Sequence, residues 1–109
     1  MSRAKGNIAE ERACEYLLES GYAIVDRNVY SRFGELDIIA AKEGVLHFVE
    51  VKSGEDYELA IQNITPLKLS KIIKTANIYM KKNGYEGDYC FDAVIVTPQE
   101  VQLIENITL

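Results

Sequence analysis

Apolar residues recur with two different periods along the chain, which divides it into helical and extended segments. Residues 7–20 carry apolar side chains at the spacing of one helix face, and Gly21 is a stop signal. A second helix is predicted from Thr65-Pro66, with Thr65 as its N-cap, to Gly84. The buried stripes of the two helices comprise Ile8, Ala13, Tyr16 and Leu17, and then Leu69, Ile72, Ile73, Ala76, Tyr79 and Met80.

Strands are predicted between and after these helices. A first strand starts at Tyr22–Val25 and can extend to Tyr30, and the apolar runs 36–40 and 45–51 predict a β-hairpin. Residues 91–96 predict a buried strand, 101–104 an edge strand, and the polar segment 54–63 a loop or lid. The order α-β-β-β-α-β-β indicates an α/β sandwich in which the helical crossover returns a strand parallel to the hairpin sheet.

The hairpin strands are apolar on both faces, which implies helices on both sides of the sheet. Simple alternation assigns the side chains to two groups. The first group is Leu36, Ile38, His47, Val49 and Val51, and the second is Ile39, Leu46 and Phe48. His47 is therefore expected to pack on the side away from Glu50.

The register of the hairpin places charged residues opposite one another. If Glu43-Gly44 is a two-residue loop, Asp37 faces Glu50 and Glu35 faces Lys52. All four project from one face at one end of the hairpin. Directly opposed carboxylates destabilise a strand pair, whereas Mg²⁺ is typically bound by one or two carboxylates. A metal site with Lys52 beside it, suited to phosphodiester cleavage, is the leading hypothesis; the alternative is a structural ion-pair cluster.

Two other charged features allow two interpretations each. Glu10 is either a first-turn acid favoured by the helix dipole or a carboxylate that points into the same cleft. The chain has a net charge of −5, which argues against a nucleic-acid partner. Between residues 59 and 85, however, there is no acidic residue, and the lysine-rich helix is either a solvated face or a phosphate-binding surface. The candidate phosphate contacts are Lys68, Lys71 and Lys74.

Composition and the remaining residues indicate the size of the domain, the state of the cysteines and the compartment of the protein. The 109 residues suit one soluble domain. Cys14 and Cys90 lie far apart without a CxxC motif or a Cys/His cluster, so no disulfide framework or zinc site is indicated, and both are expected as buried thiols. The polar start and the absence of a long apolar run indicate a cytoplasmic protein. Asp92 is expected to accept a hydrogen bond from Lys52 or from a backbone turn.

The signature residues resemble a known family. Gly34-Glu35-Leu36-Asp37-Ile38-Ile39-Ala40 followed by Phe48-Val49-Glu50-Val51-Lys52 resembles the central signature of the YraN family of small bacterial proteins. Gly6-x-x-x-Glu10-x-x-Ala13-x-x-Tyr16-Leu17 and Phe91-Asp92-Ala93-Val94 fit the same family. The resemblance implies the restriction-endonuclease-like fold of the PD-(D/E)xK nuclease superfamily, an αβββαβ sandwich with a mixed sheet, similar to Holliday-junction resolvases.

The resemblance also implies roles for individual residues. Asp37 and Glu50 would be metal ligands together with the Val51 carbonyl, and Lys52 would orient or deprotonate the attacking water or stabilise the transition state. Glu10 would complete the acidic cluster. The implied activity is that of a Mg²⁺- or Mn²⁺-dependent endonuclease that cuts DNA, branched or single-stranded, with a homodimer expected by analogy with the resolvases. RNA cleavage and a DNA-binding or scaffold module without turnover are the alternatives.

Two departures from the family pattern both remove positive charge near the implied cleft. The family commonly continues Glu-Val-Lys with Thr-Arg, whereas this chain has Ser53-Gly54, and Cys90 stands where Arg is frequent.

Overall fold

A five-stranded mixed sheet with helices on both faces makes up the described fold. The structure is a computed structural model that describes residues 2–108, with side chains described from residue 8 onward. In chain order the elements are α1 (Ser2–Glu19), β1 (Ala23–Ser31), β2 (Gly34–Lys42), β3 (Val45–Ser53), α2 (Tyr57–Ile61), α3 (Pro66–Lys82), β4 (Asp88–Val96) and β5 (Val101–Ile104). This arrangement confirms the predicted αβββαβ sandwich.

The strands lie side by side in chain order, from β1 at one edge to β5 at the other. β1, β2 and β3 pair antiparallel, β4 pairs parallel with β3, and β5 pairs antiparallel with β4. The only parallel pair among the described strands is therefore the one joined by the helical crossover, as predicted.

The tight turn between β2 and β3 fixes the hairpin register. Glu43 has φ +51° and Gly44 has φ +80°, and positive φ at both central residues is the requirement of a type I′ hairpin turn. Ile38 consequently pairs with Val49, Ile39 with Phe48, and Ala40 with His47. The predicted register is confirmed over these pairs.

Each face of the sheet is covered by one long helix. Beneath α1, Leu17 packs with Ile38, Val49 and Val94. On the other face, α3 packs through Ile72, Ala76 and Met80 against Ile39, Phe48 and Phe91. Leu36 packs with this second cluster, so its predicted assignment to the face of Ile38 is wrong, because simple alternation does not hold at that end of the hairpin.

The segment predicted as a loop contains a helix of its own. Asp56 is the N-cap of α2, where its Oδ1 accepts a hydrogen bond from the Leu59 N–H at 2.9 Å. Ala60 is buried against Ala93 and Ile95 of β4. The five-residue α2 is too short to show a helical period in a polar sequence, and that is why the loop prediction was wrong.

The remaining boundaries agree with the sequence to within a few residues, except that α1 begins at Ser2 rather than Asn7. Thr65 is the N-cap of α3 and Pro66 occupies its first turn, as predicted. Among the described residues, no helix has both the length and the apolar character that crossing a membrane requires.

Candidate metal and nucleic-acid site

The candidate site lies where β2 and β3 stop pairing with each other. Their pairing ends at Ile38 and Val49. Beyond that point β3 stays paired with β4 as far as Ser53, while β2 stays paired with β1 as far as Gly34. The two strands are thus held by different neighbours, and the Val51 N–H donates to Asp37 Oδ2 at 2.7 Å. A side-chain carboxylate of β2 therefore satisfies a backbone donor of β3 in this opening.

Asp37 and Glu50 meet in the opening. Asp37 and Glu50 both line the opening, and their carboxyl groups can hydrogen-bond to each other when one of them is protonated. Burial, together with the hydrogen bond and the negative charge of Glu50, raises the pKa of Asp37 from its ordinary 3.8 to about 8. The sequence prediction that these two carboxylates converge on one face agrees with this arrangement.

Lys52 contributes the nearest positive charge on β3. Its Nζ lies 3.2 Å from Glu50 Oε2, and both side chains are largely buried, 24% and 12% exposed respectively. The ion pair of Lys52 is with Glu50, whereas Glu35 turns toward Glu10. The predicted pairing of Glu35 with Lys52 is therefore wrong, because both residues lie beyond the last paired residues of the hairpin.

Glu10 reaches the same acidic group from α1. One carboxylate oxygen from each of Glu10, Glu35 and Asp37 lies within 4.8 Å of the other two. Burial raises the pKa of Glu10, and the charges of Asp37 and Glu35 raise it further. Arg27 opposes this shift, with Nη2 3.6 Å from Glu10 Oε1. The structure therefore places Glu10 beside the acids of the cleft, although it is not one of the residues that line the cleft itself.

Asn28 and Arg27 of β1 are part of this site and were not identified from the sequence. Asn28 has φ +53°, a backbone conformation that Asn tolerates better than most residues. With its amide nitrogen turned toward the acids, it donates to Glu35 Oε2 at 2.9 Å and to Glu10 Oε1 at 3.1 Å. The available signal was the polar run Asp26-Arg27-Asn28 inside a strand, which begins directly after a register shift between Ile24 and Asp26.

An open cleft of about 260 Å³ surrounds the carboxylates. The N-terminal half of α3 forms its other wall, where the Thr65 hydroxyl accepts a hydrogen bond from the Lys68 N–H at 3.2 Å. Lys68 and Lys71 line the cleft, while Lys74 lies over the Phe33 ring, 5.1 Å from its centroid. The full lining is Gly34, Glu35, Asp37, Glu50, Val51, Lys52, Lys68, Lys71 and Ile72.

The donor set fits a hard divalent cation. The carboxylates of Asp37, Glu50, Glu10 and Glu35 supply oxygen ligands, which Mg²⁺ and Mn²⁺ prefer. Burial and the neighbouring Glu50 raise the pKa of Asp37, and the charge of Lys52 offsets this rise only in part. A divalent cation would replace the proton that the raised pKa favours. Val51 lines the cleft, and the use of its carbonyl as a ligand stays a prediction.

His47 and Asp92 lie outside this cleft. The His47 Nδ1 is 2.6 Å from Asp92 Oδ2, so the imidazole has a partner on the face of the sheet away from Glu50, the face on which it was predicted to lie. The second oxygen of Asp92 accepts a hydrogen bond from the Asn106 N–H at 2.9 Å. Of the two partners considered for Asp92, a backbone turn and Lys52, the structure places the backbone turn there.

Comparison with known proteins identifies the family. Residues 9–96 match the family described as uncharacterised protein family UPF0102. The chain belongs to the UPF0102 (YraN) family. A UPF0102 protein of Sulfurimonas denitrificans is 67% identical over 109 residues, which cover 100% of both chains.

Two further UPF0102 relatives match over nearly the whole chain. One from Wolinella succinogenes is 59% identical over 109 residues and is covered completely, as is this chain. One from Helicobacter pylori strain HPAG1 is 54% identical over 106 residues, covering 97% of this chain and 92% of the relative. The UPF0102 description states no activity, so the functional argument rests on the site.

Proposed function

We propose that this UPF0102 protein is a Mg²⁺- or Mn²⁺-dependent endonuclease that hydrolyses phosphodiester bonds in DNA. The observation that carries the proposal is that Asp37, Glu50 and Lys52 line one open cleft, with Lys52 Nζ 3.2 Å from Glu50 Oε2. Two such acids with a raised Asp37 pKa are an unfavourable arrangement in a structural role. They are a suitable arrangement for holding a cation.

The acidic residues would hold the ion and orient the groups around it. Asp37 and Glu50 are the proposed ligands, with the Val51 carbonyl as a third. A bound Mg²⁺ or Mn²⁺ would supply Lewis acidity at the scissile phosphate and lower the pKa of the attacking water. Glu10 and Glu35, fixed by Asn28 and Arg27, would add negative charge that increases cation affinity.

Lys52 is the residue proposed to orient the attacking water and to stabilise the transition state. Its ammonium group stands beside Glu50 and lines the cleft. From that position it can orient a water by hydrogen bonding and stabilise the negative charge that develops on the phosphate. When a cation takes over the charge of Glu50, Lys52 is free to turn toward the substrate.

The substrate class follows from the opposite wall of the cleft. Lys68 and Lys71 face the carboxylates across the opening, so a phosphate held by these lysines would lie beside the proposed ion. The net charge of −5 makes this local pair of lysines necessary for binding a polyanion. Branched or single-stranded DNA is the substrate proposed.

A cleavage panel tests this proposal. The chain is incubated with linear, nicked, flapped, four-way and single-stranded DNA, and with RNA, in Mg²⁺, Mn²⁺ or EDTA. We expect metal-dependent cutting of DNA that Asp37→Ala and Glu50→Ala abolish without loss of fold, because each change also relieves carboxylate repulsion. Lys52→Ala should reduce the rate by about 10²–10³-fold. Lys82→Ala, at the exposed far end of α3, is the matched control and should cut normally.

Three results would contradict the proposal in different ways. DNA binding without cutting of any substrate would support the scaffold alternative. Cutting that is confined to RNA would mean that the same site acts on RNA and not on DNA. Cutting that persists in the Asp37→Ala and Glu50→Ala variants would show that these residues are not the site.

A further inference from the structure

A second group of ligand-type side chains lies on the opposite face of the sheet. His47 on β3 is adjacent to Cys90 on β4 in the parallel register, and Asp92 is two residues further along β4. Their neighbours at alternate positions, Val49 and Val94, are buried beneath α1. The group is therefore on the α1 side, whereas the acidic cleft is lined by α3 residues.

The three side chains converge more closely than hydrogen bonding among them accounts for. His47 Nδ1 is 2.6 Å from Asp92 Oδ2 and 3.0 Å from Cys90 Sγ. Cys90 Sγ is 3.6 Å and 3.9 Å from the two Asp92 oxygens. A ring nitrogen offers either one hydrogen or one lone pair. Two polar atoms thus compete for a single position on Nδ1.

We propose that His47, Cys90 and Asp92 form a binding site for Zn²⁺. Thiolate, imidazole and carboxylate together are a zinc-type ligand set, unlike the all-oxygen set of the acidic cleft. Tetrahedral zinc with ordinary bond lengths separates such ligand atoms by about 3.4 to 3.6 Å. The separations of Cys90 Sγ from Asp92 Oδ1 and Oδ2, 3.6 Å and 3.9 Å, lie at and slightly above the upper end of this range. The two contacts of Nδ1 would widen by less than about 1 Å.

Burial and hydrogen bonding hold Asp92 in position for this role. Its side chain is fully buried, and Oδ1 accepts the Asn106 N–H at 2.9 Å. Hydrogen bonds from outside the ligand group typically orient metal ligands in this way. Oδ2 is then the oxygen directed at His47 and available to an ion.

The group borders an open pocket of about 370 Å³ through His47. His47, Tyr22 and Glu105 line it. The charge of Glu105 acts on the Cys90 thiol, and the Glu105 side chain is exposed at the pocket. A zinc with three protein ligands leaves a fourth position open, which a water can supply.

The environment of Cys90 argues against a reactive thiol as the reason for this arrangement. Burial and the negative charge of Asp92 raise the pKa of Cys90 to about 12. A thiol in that environment is a poor nucleophile and resists oxidation. A bound cation would instead displace the thiol proton, as metal binding to cysteine generally does.

Spectroscopy on the full chain tests the zinc site. After chelator treatment and desalting, the protein is loaded with Zn²⁺ for elemental analysis, or with Co²⁺ for absorption spectra. We expect at least one zinc per chain, and with Co²⁺ a thiolate-to-metal band in the near ultraviolet that an all-oxygen site cannot give. Cys90→Ser should remove the band and His47→Gln should weaken binding at least about tenfold. Cys14→Ser and Asp37→Asn should keep both signals.

Thiol labelling of the wild-type chain tests the same site without a substitution, so its result does not depend on whether the variants fold. Zn²⁺ should slow alkylation of Cys90, located by mass spectrometry, whereas Mg²⁺ should leave it unchanged. Absence of the Co²⁺ thiolate band, a band that survives Cys90→Ser, or Cys90 labelling that Zn²⁺ does not slow would each overturn the site. None of these measurements depends on DNA cleavage.

Discussion

At the residue scale, Asp37 is the residue on which the account depends. Its carboxylate accepts a hydrogen bond from the Val51 N–H, lines the same cleft as Glu50 and lies close to the carboxylates of Glu10 and Glu35. No other described carboxylate connects all of these groups. Its protonation is therefore the property that should respond most strongly to a bound cation.

Stability in the absence of metal should depend on pH through Asp37. The folded chain raises the pKa of Asp37 from 3.8 to about 8, so the folded state holds this proton more tightly than the unfolded state. The stabilising contribution is complete below about pH 3.8 and is lost as the pH rises to about 8. In EDTA, the wild type should therefore lose stability relative to Asp37→Asn across this range.

Urea unfolding at a series of pH values provides the measurement. The difference between the wild type and Asp37→Asn isolates this group from the others that titrate. Addition of Mg²⁺ near pH 8 should raise the stability of the wild type more than that of the variant. A difference that stays constant from about pH 4 to pH 8 would contradict the raised Asp37 pKa.

At the scale of elements, the site results from β2 and β3 having different outer neighbours. β1 holds the end of β2 at Gly34, and β4 holds the end of β3 at Ser53. α3 then closes the opening with Lys68 and Lys71. The cleft is thus a property of three strands and one helix together.

The lysines at the start of α3 should contribute most of the electrostatic binding of DNA. In a Glu50→Gln background that blocks cutting, the double change Lys68→Ala and Lys71→Ala should weaken binding and lower the salt dependence by about 2 in slope. Lys81→Ala with Lys82→Ala removes the same charge from the other end of the helix and is the control. Equal effects of both pairs, measured by fluorescence anisotropy at several salt concentrations, would contradict a phosphate position in the cleft.

The sequence predicts the parts of this arrangement that follow from local chemistry. Glu43-Gly44 determines the hairpin register, and Thr65-Pro66 determines where α3 begins. The opening between β2 and β3 could not be predicted, because it depends on pairing with β1 and β4. Asn28 was missed because its positive φ belongs to an irregular part of β1.

The group of His47, Cys90 and Asp92 was missed for a related reason. His47 and Cys90 are 43 residues apart and meet only through the parallel register of β3 and β4. Motif spacing detects metal ligands that are close in sequence. Ligands contributed by adjacent strands require the register, which the crossover through α3 determines.

At the scale of the whole molecule, the sheet separates the acidic cleft, which α3 lines, from the group of His47, Cys90 and Asp92 on the α1 side. Its centre is apolar on both sides, through Ile38 and Val49 beneath α1 and through Phe48 beneath α3. Packing of these side chains holds the strands in the register that both sites need.

Phe48→Ala should test the contribution of this core to stability. Phe48 is fully buried and stacks on Phe91 with 5.4 Å between ring centroids. Its truncation should lower the free energy of unfolding by about 3–5 kcal/mol. Leu67→Ala, at a position 67% exposed, is the control and should change it by about 0.5 kcal/mol or less. A loss below about 1 kcal/mol for Phe48→Ala in urea unfolding would contradict the packing described.

The most direct test of the central claim is the position of Mn²⁺ in crystals of the wild-type chain, located by anomalous diffraction. The account predicts an anomalous peak in the opening between β2 and β3, within coordination distance of the carboxylate oxygens of Asp37 and Glu50, and no such peak in Glu50→Gln. Crystals soaked in millimolar Mn²⁺ that show no ion between these two carboxylates would contradict it.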